Sequence, residues 1–238
     1  MKRILVFAMC AVLLLTAVAA PCFAGEVIDG VVVTVNHKPI FRSDWDEGVC
    51  YELFMQHKPL AQMSDADRII TLQRLIDRQL LLAQMADTGY LQPSEEELQN
   101  DVVKLRSQVP EGQNNENWEK LLAGYDLSDQ LLRKHLRAEF QVMNFVEVRL
   151  RPNIHVPPDE VEAYYRNQLL PDLEKAGGKI IAFADVEPRI RELLTQEHMN
   201  ELLDAWLHNL RQQAEIRSSV PLPALHAPVE APRVSGAY

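Results

Sequence analysis

The chain has 238 residues, enough for one large domain or two small ones, and its apolar fraction of 47% is ordinary for a folded core. A formal net charge of −10 argues against sequence-independent nucleic-acid binding, which needs clustered Lys and Arg to displace phosphate counterions. Glycine is scarce, and the prolines fall at segment ends and in the final twenty residues, so breaks between elements are easy to place.

Residues 1–24 have the form of an export signal. Lys2 and Arg3 make a basic start, residues 4–20 an apolar run, and Cys22-Phe23-Ala24 a small-x-small cleavage site. The competing reading is an uncleaved membrane anchor, for which the run is borderline in length. Pro21 directly before Cys22 argues against lipid attachment there. Cleavage removes Cys10 and Cys22 and leaves Cys50 alone, so no disulfide within the remaining chain is expected. Cys50 sits in an amphipathic pattern with no His nearby and reads as a small buried apolar residue.

The stretch 30–46, GVVVTVNHKPIFRSDWD, predicts a β-hairpin that runs into a helix. Ser43 is the expected N-cap, with Asp44, Asp46 and Glu47 in the first turn, where the helix dipole favours negative charge. Val49, Leu53 and Phe54 carry the apolar face onward. Ser64-Asp65 caps a second helix. Its apolar positions Ile69, Leu72, Leu75, Ile76, Leu80, Ala83 and Ala86 cover more than one face, so it should be central to the core. Gly89 is its expected C-cap. Ser94-Glu95-Glu96-Glu97 forms a capping box before the stripe Leu98, Val102, Leu105. Pro110, Gly112 and an Asn/Gln cluster make a loop. A short helix bearing Trp118, Leu121 and Leu122 follows and stops at Gly124.

Ser128 caps a long helix with the predicted stripe Leu132, Leu136, Phe140, Met143 and Val146, ended by Pro152. Pro157-Pro158-Asp159-Glu160 opens a short helix with proline in its first turn. Pro171, Gly177 and Gly178 are then expected to break the chain. Asp185 is the expected cap of a last long helix, with Pro188 in its first turn and apolar positions Ile190, Leu194, Leu202, Trp206 and Leu210. Residues 214–217 suit one more short strand. Residues 218–238 are rich in Pro and Ala without periodicity and read as a disordered tail.

The fold class is therefore mainly α: six or seven helices with a small β-hairpin and at most three short strands. A lone hairpin is unstable in water, so the strand at Val31 to Val35 needs a partner. The distant candidate is the segment near Ile216, which would join the two ends of the domain.

Catalytic signatures are missing. The sequence has no HExxH, GxSxG or CxxC motif and no glycine-rich phosphate loop; Gly177-Gly178-Lys179 reads as a turn. The seven His residues are scattered, and His198 reads as a core-edge histidine rather than a ligand, since a metal needs three or four ligands together. No catalytic residue, metal or cofactor is expected. Helix-start carboxylates explain the acidic cluster Asp44, Asp46, Glu47.

The order of the motifs resembles the SurA-type periplasmic chaperone family. Val32-Val33-Thr34-Val35-Asn36 and Ile40-Phe41-Arg42-Ser43-Asp44 are similar to that family's opening strand, turn and helix start. Residues 72–81, LQRLIDRQLL, are similar to its second helix, and Ser94 to Leu98 to its third helix start. Gly124 to Ser128, and Val156 with Glu160 to Tyr165, complete the pattern. In isomerase-active members of the family a parvulin domain of about ninety residues follows, a small-domain size. Here only residues 166–184 separate the tyrosine pair from the last helix.

The resemblance implies a signal at 1–24, a SurA N-terminal-like domain at 25–165 and a short linker at 166–184 in place of the parvulin domain. It further implies a returning helix and strand at 185–217 and a tail at 218–238. It also implies an ATP-independent periplasmic chaperone, without isomerase activity, that binds unfolded or partly folded exported polypeptides, including outer-membrane proteins. The chain would be a monomer or swapped dimer, without nucleic acid and without stable membrane insertion once the signal is cleaved. Met and aromatic residues suit an adaptable apolar groove, and the expected client-binding residues are Trp45, Phe54, Met55, Tyr90, Trp118, Tyr125, Met143 and Phe145. Alternatives are a dedicated escort for one exported partner, a prolyl isomerase without a parvulin domain, and a carrier of a small apolar ligand.

Overall fold

The computed structural model describes residues 29–85 and 93–221. Strand β1 (Val31–Val35) turns through Asn36 and His37 into β2 (Lys38–Phe41). Both turn residues have positive φ, 46° and 69°, the geometry a two-residue hairpin of the I′ kind requires. The turn is also held from outside: the Asn36 backbone N–H donates to the Glu215 carbonyl at 2.9 Å, and the Glu215 N–H donates to Asn36 Oδ1 at 2.9 Å.

The pairing expected from the sequence is present. Strand β3 (Ile216–Ser218) lies antiparallel to β1, with Val33 opposite Ser218, Thr34 opposite Arg217 and Val35 opposite Ile216. The sheet order is β2-β1-β3, so β1 is the central strand and the two ends of the domain meet on it. Strict alternation would put Val31, Val33 and Val35 on one face. A register shift between Val31 and Val33 instead turns Val31 outward and Val32 inward beside Val33, as a β-bulge does.

Among the described residues seven helices accompany this sheet. Helix α1 (Arg42–Met55) starts one residue before the expected cap. Because β2 runs straight into it, extended Phe41 occupies the cap position and its N–H is taken by Asp44 Oδ2 at 3.1 Å. Ser43 lies inside the first turn and bonds Asp29. Helix α2 (Asp65–Met85) has the expected cap: Ser64 Oγ accepts from the Asp67 N–H, and Asp67 accepts from the Ser64 N–H at 2.7 Å. Lys58 donates to the same carboxylate at 2.6 Å and, with Ser64, holds its pKa down to about 2. The expected cap Gly89 lies outside the described residues. Gly48 lets α1 and α2 approach closely, since a Cβ there would come within 3.1 Å of Thr71.

Helix α3 (Glu95–Ser107) carries the predicted capping box, and α4 (Asn115–Ala123) ends at Gly124 as expected. Helix α5 (Asp129–Leu150) is capped by Ser128, but its buried residues are Leu132, His135, Phe145 and Val146. Of the expected stripe, Leu132 and Val146 are buried and Leu136 and Phe140 half-buried, and only Met143 fails, at 53% exposed; α5 packs against α1 and α3 in its first half and α2 in its second.

Helix α6 (Pro158–Tyr164) does not stop near the tyrosines. It passes through a π-helical turn (Tyr165–Leu169) into a final stretch (Leu170–Lys175), so Pro171 is accommodated within a continuous helical rod rather than breaking it. A π turn widens the helix and relaxes the demand on the donor that proline lacks. Helix α7 (Phe183–Gln213) starts two residues before the expected Asp185 cap, with Ala182 at the cap position. Tyr165 fixes this earlier start: its hydroxyl donates to the Ile181 carbonyl at 2.6 Å and its ring meets Phe183 edge-on. Pro188 consequently falls in the second turn.

Four apolar clusters hold these elements. The first joins all three strands to α1, α2 and the end of α7, around Val33, Leu53, Leu72 and Ile76. The second joins the other face of α1 to α4 and α5. The third joins α2, α5 and α7 around Leu81, Phe145 and Met199. The fourth lies between α6 and the start of α7. Thus α2 is central, as its many-sided apolar pattern predicts. Arg211 of α7 clamps it with two donors to the two Asp77 carboxylate oxygens, side chains 10% and 14% exposed.

Candidate functional site: the helix seams and the surface

The residues expected to line a groove are mostly interior. Trp45 belongs to the first cluster, where its indole N–H donates to the Arg68 carbonyl at 2.7 Å and the Arg68 guanidinium lies over its ring. Phe54 and Trp118 meet edge-on in the second cluster with centroids 5.9 Å apart, and Tyr125 meets Phe54 at 5.5 Å. Met55 and Tyr125 are half-buried against that cluster. Phe145 is 3% exposed in the third cluster, against Trp206. Met143 alone of the described seven is freely exposed, and Tyr90 lies outside the described residues.

In this conformation these side chains are therefore core rather than groove. Four of them, Phe54, Met55, Trp118 and Tyr125, do share one region, the α1–α4–α5 cluster. An exposed aromatic and a buried one are indistinguishable by residue type, because aromatic rings serve cores and interfaces alike.

The exposed large apolar residues are dispersed. Val103 is on α3, Met143 and Val148 on α5, Leu193 and Leu202 on α7, and Ile180 and Ile181 on the loop before α7, where Ile180 is 81% exposed. An open depression of about 610 Å³ at the start of α5 is lined by Asp129, Gln130, Leu131, Arg133, Lys134 and Arg137. Its three cations are already engaged: Arg133 with Asp129, Lys134 with Glu47 and Arg137 with Glu95.

The chemically distinctive feature is the seam between α1, α2 and α5. Tyr51 and His135 stack there, centroids 4.7 Å apart and planes 12° apart, exposed only 6% and 5%. The Tyr51 hydroxyl donates to Glu139 Oε2 at 2.5 Å. Burial, reinforced by the Glu139 carboxylate, pushes the phenol pKa up. Burial, reinforced by Arg78 and Lys134, pushes the His135 imidazole down to about 4. Its Nε2 is buried without a hydrogen-bond partner. Beside it, burial pushes the Glu52 carboxyl up while its Arg74 partner pulls it back. Burial likewise lowers the Arg78 guanidinium pKa, against the pull of Asp44, Glu139 and Tyr51. His135 went unread in the sequence; the one available signal was its place three residues after Leu132, on the buried face of α5.

Cys50 is half-buried at the edge of the second cluster, and burial raises its thiol pKa, which keeps it protonated and unreactive. His198 sits at the α6–α7 junction with Nε2 3.0 Å from Glu160 Oε1. Among the described residues no group of three or more His, Cys, Asp or Glu is placed to hold a metal, and no helix is long and apolar enough to cross a membrane.

The chain is thus a mainly helical module closed by a three-stranded seam, with its buried polar side chains gathered at helix junctions. Residues 1–146 match the family described as SurA-like N-terminal domain, and the chain belongs to that family. The family is of chaperone type and periplasmic. The match ends within α5, so α6, α7 and β3 lie beyond it. No curated protein matches the chain.

Proposed function

We propose that this protein is an exported, ATP-independent holding chaperone of the periplasm. It binds unfolded or partly folded exported polypeptides, including outer-membrane-type proteins, and sequesters them by mass action without a chemical step. The observation that carries this reading is the family match across 1–146 together with the helical module it describes. The sequence supports export through its N-terminal basic-apolar-small pattern. The short connection between α6 and α7 supports a chain that holds clients without parvulin-type isomerisation. An acidic surface keeps a loaded complex soluble.

The test is light scattering of an unfolded outer-membrane-type protein diluted from denaturant, with and without residues 25–238. Suppressed aggregation at near-stoichiometric ratios, without nucleotide and for several unrelated clients, is the expected result. Protection of one partner alone would make the protein a dedicated escort. Faster prolyl-bond isomerisation in a peptide assay would make it an enzyme.

A further inference from the structure

The aromatic cluster that best resembles a client surface is closed in this conformation, and the lid is the first half of α5. Leu132, fully buried, packs in one cluster with Tyr51, Phe54, Trp118 and Leu122, and His135 stacks on Tyr51 at its edge. The two contacts differ in kind. Leu132 is held by apolar burial at every pH. His135 is held by stacking on Tyr51, and only while its ring is neutral does the site suit it.

The groups around that ring make the dependence specific. From α1 it feels Asp44 and Glu47 and stacks on Tyr51; from α2 it feels Arg78, and along α5 Lys134, while Glu139 lies beyond Tyr51 as the acceptor of its hydroxyl. Each of the three carboxylates is committed elsewhere: Asp44 accepts from the Phe41 N–H, Glu47 from Lys134 at 2.8 Å and Glu139 from Tyr51. From α3, Glu95 and Gln99 engage Arg137 and Arg133. A protonated imidazole needs an acceptor for both N–H groups. Here it would have one nitrogen sealed without a partner and two cations beside it.

We infer that the α1–α5 seam is an acid-operated latch: protonating His135 unstacks it from Tyr51 and lifts the first half of α5, uncovering the Tyr51, Phe54, Trp118 and Leu122 surface for unfolded polypeptide. The client in this statement rests on the holding reading above; the opening does not. The elements that stay closed are the sheet and the α2–α7 clamp: the one histidine contact there, exposed His37 with Glu215 at 3.6 Å, is strengthened and not broken by protonation.

Hydrogen exchange across residues 129–139 of the whole exported chain, corrected for intrinsic rates, tests the latch between pH 7.5 and 4. The opening constant rises about tenfold per unit as pH falls below 6.5 and levels off near 4. Dye binding to exposed apolar surface rises with it, while β1 and β3 keep their protection. His135→Phe keeps the stack but cannot charge, and abolishes the rise. Arg78→Gln removes a neighbouring cation and raises the closed-state pKa, so the rise begins at the same pH but levels off earlier and is smaller. A direct NMR titration of the His135 ring in the wild type gives a second readout that needs no variant.

The latch is overturned if His135→Phe opens like the wild type. A ring that titrates at 6.5 without a change in exchange, or β1 and β3 that lose protection in step with α5, would also overturn it. Aggregation assays at pH 7.5 and 4.5 separate the two claims. Opening without client protection at either pH leaves the latch standing and removes the holding reading. Protection that is equal at both pH values, and unchanged in His135→Phe, removes the latch and leaves the holding reading.

Discussion

Two seams join distant parts of this chain, and they are built oppositely. The first brings β3 and the end of α7 onto β1 and α2. It is largely apolar, with Val33, Leu53 and Ile76 at 0% exposure, and its buried ionic contact is the two-pronged Asp77–Arg211 pair. The second brings α5 onto α1. It pairs a dry cluster around Leu132 with a polar strip in which Tyr51 is satisfied and His135 Nε2 is not. A seam with every group engaged has no reason to open in any ordinary condition. A seam with one titratable group left over opens when that group changes charge. The comparison assigns permanence to the first and responsiveness to the second.

The sharpest way to break the comparison is to damage the permanent seam. Ile76→Ala leaves a cavity at the centre of the first cluster and lowers unfolding stability by about 4 kcal/mol, read from the urea midpoint at constant slope. Asp77→Ala comes next. It strands a buried guanidinium and costs about 3 kcal/mol, whereas replacing both partners by apolar residues of similar volume recovers most of the loss. A double variant as unstable as Asp77→Ala would mean that the clamp is not the contact described.

The responsive seam is probed by pH. The folded-state pKa of His135, about 4, lies below its ordinary 6.5. Its contribution is therefore whole above 6.5 and is lost as pH falls from 6.5 to 4, by about 3 kcal/mol in all. Glu52 and Asp77 work the other way, because burial raises their carboxyl pKa values and folded protein takes up their protons more readily. The difference between wild type and His135→Phe at pH 7.5 and 4.5 isolates the imidazole. Smallest of the set, Ser94→Ala removes the acceptor for the Glu97 N–H and costs about 1 kcal/mol, visible as a small drop in the thermal midpoint.

Much of the permanent seam was legible in the sequence. A hairpin of five and four residues cannot stand alone, so Val31 to Val35 demanded a partner, and the short apolar segment near Ile216 was the available one. The bulge at Val32 was not legible, because alternation alone predicts a single inward face. The responsive seam was read least well. Leu132, Leu136 and Val146 of the expected α5 stripe do face inward, and Met143 alone of it faces water. The position missed is His135, a polar residue that hydrophobic patterning discounts. Aromatic residues likewise marked important positions without saying whether they face water, so Phe54 and Trp118 were expected on a surface and are found within a core. Proline at 171 misled for a local reason, since the π turn before it absorbs the break.

The most direct measurement is hydrogen exchange at pH 4.5, where the latch is open, with and without an unfolded outer-membrane-type client. The account predicts altered protection across residues 129–139 and at Phe54 and Trp118 on client binding, with β1, β3 and α2 unchanged. Protection lost in β1 and β3 while α5 stays closed, or a client that binds without disturbing either seam, would contradict it.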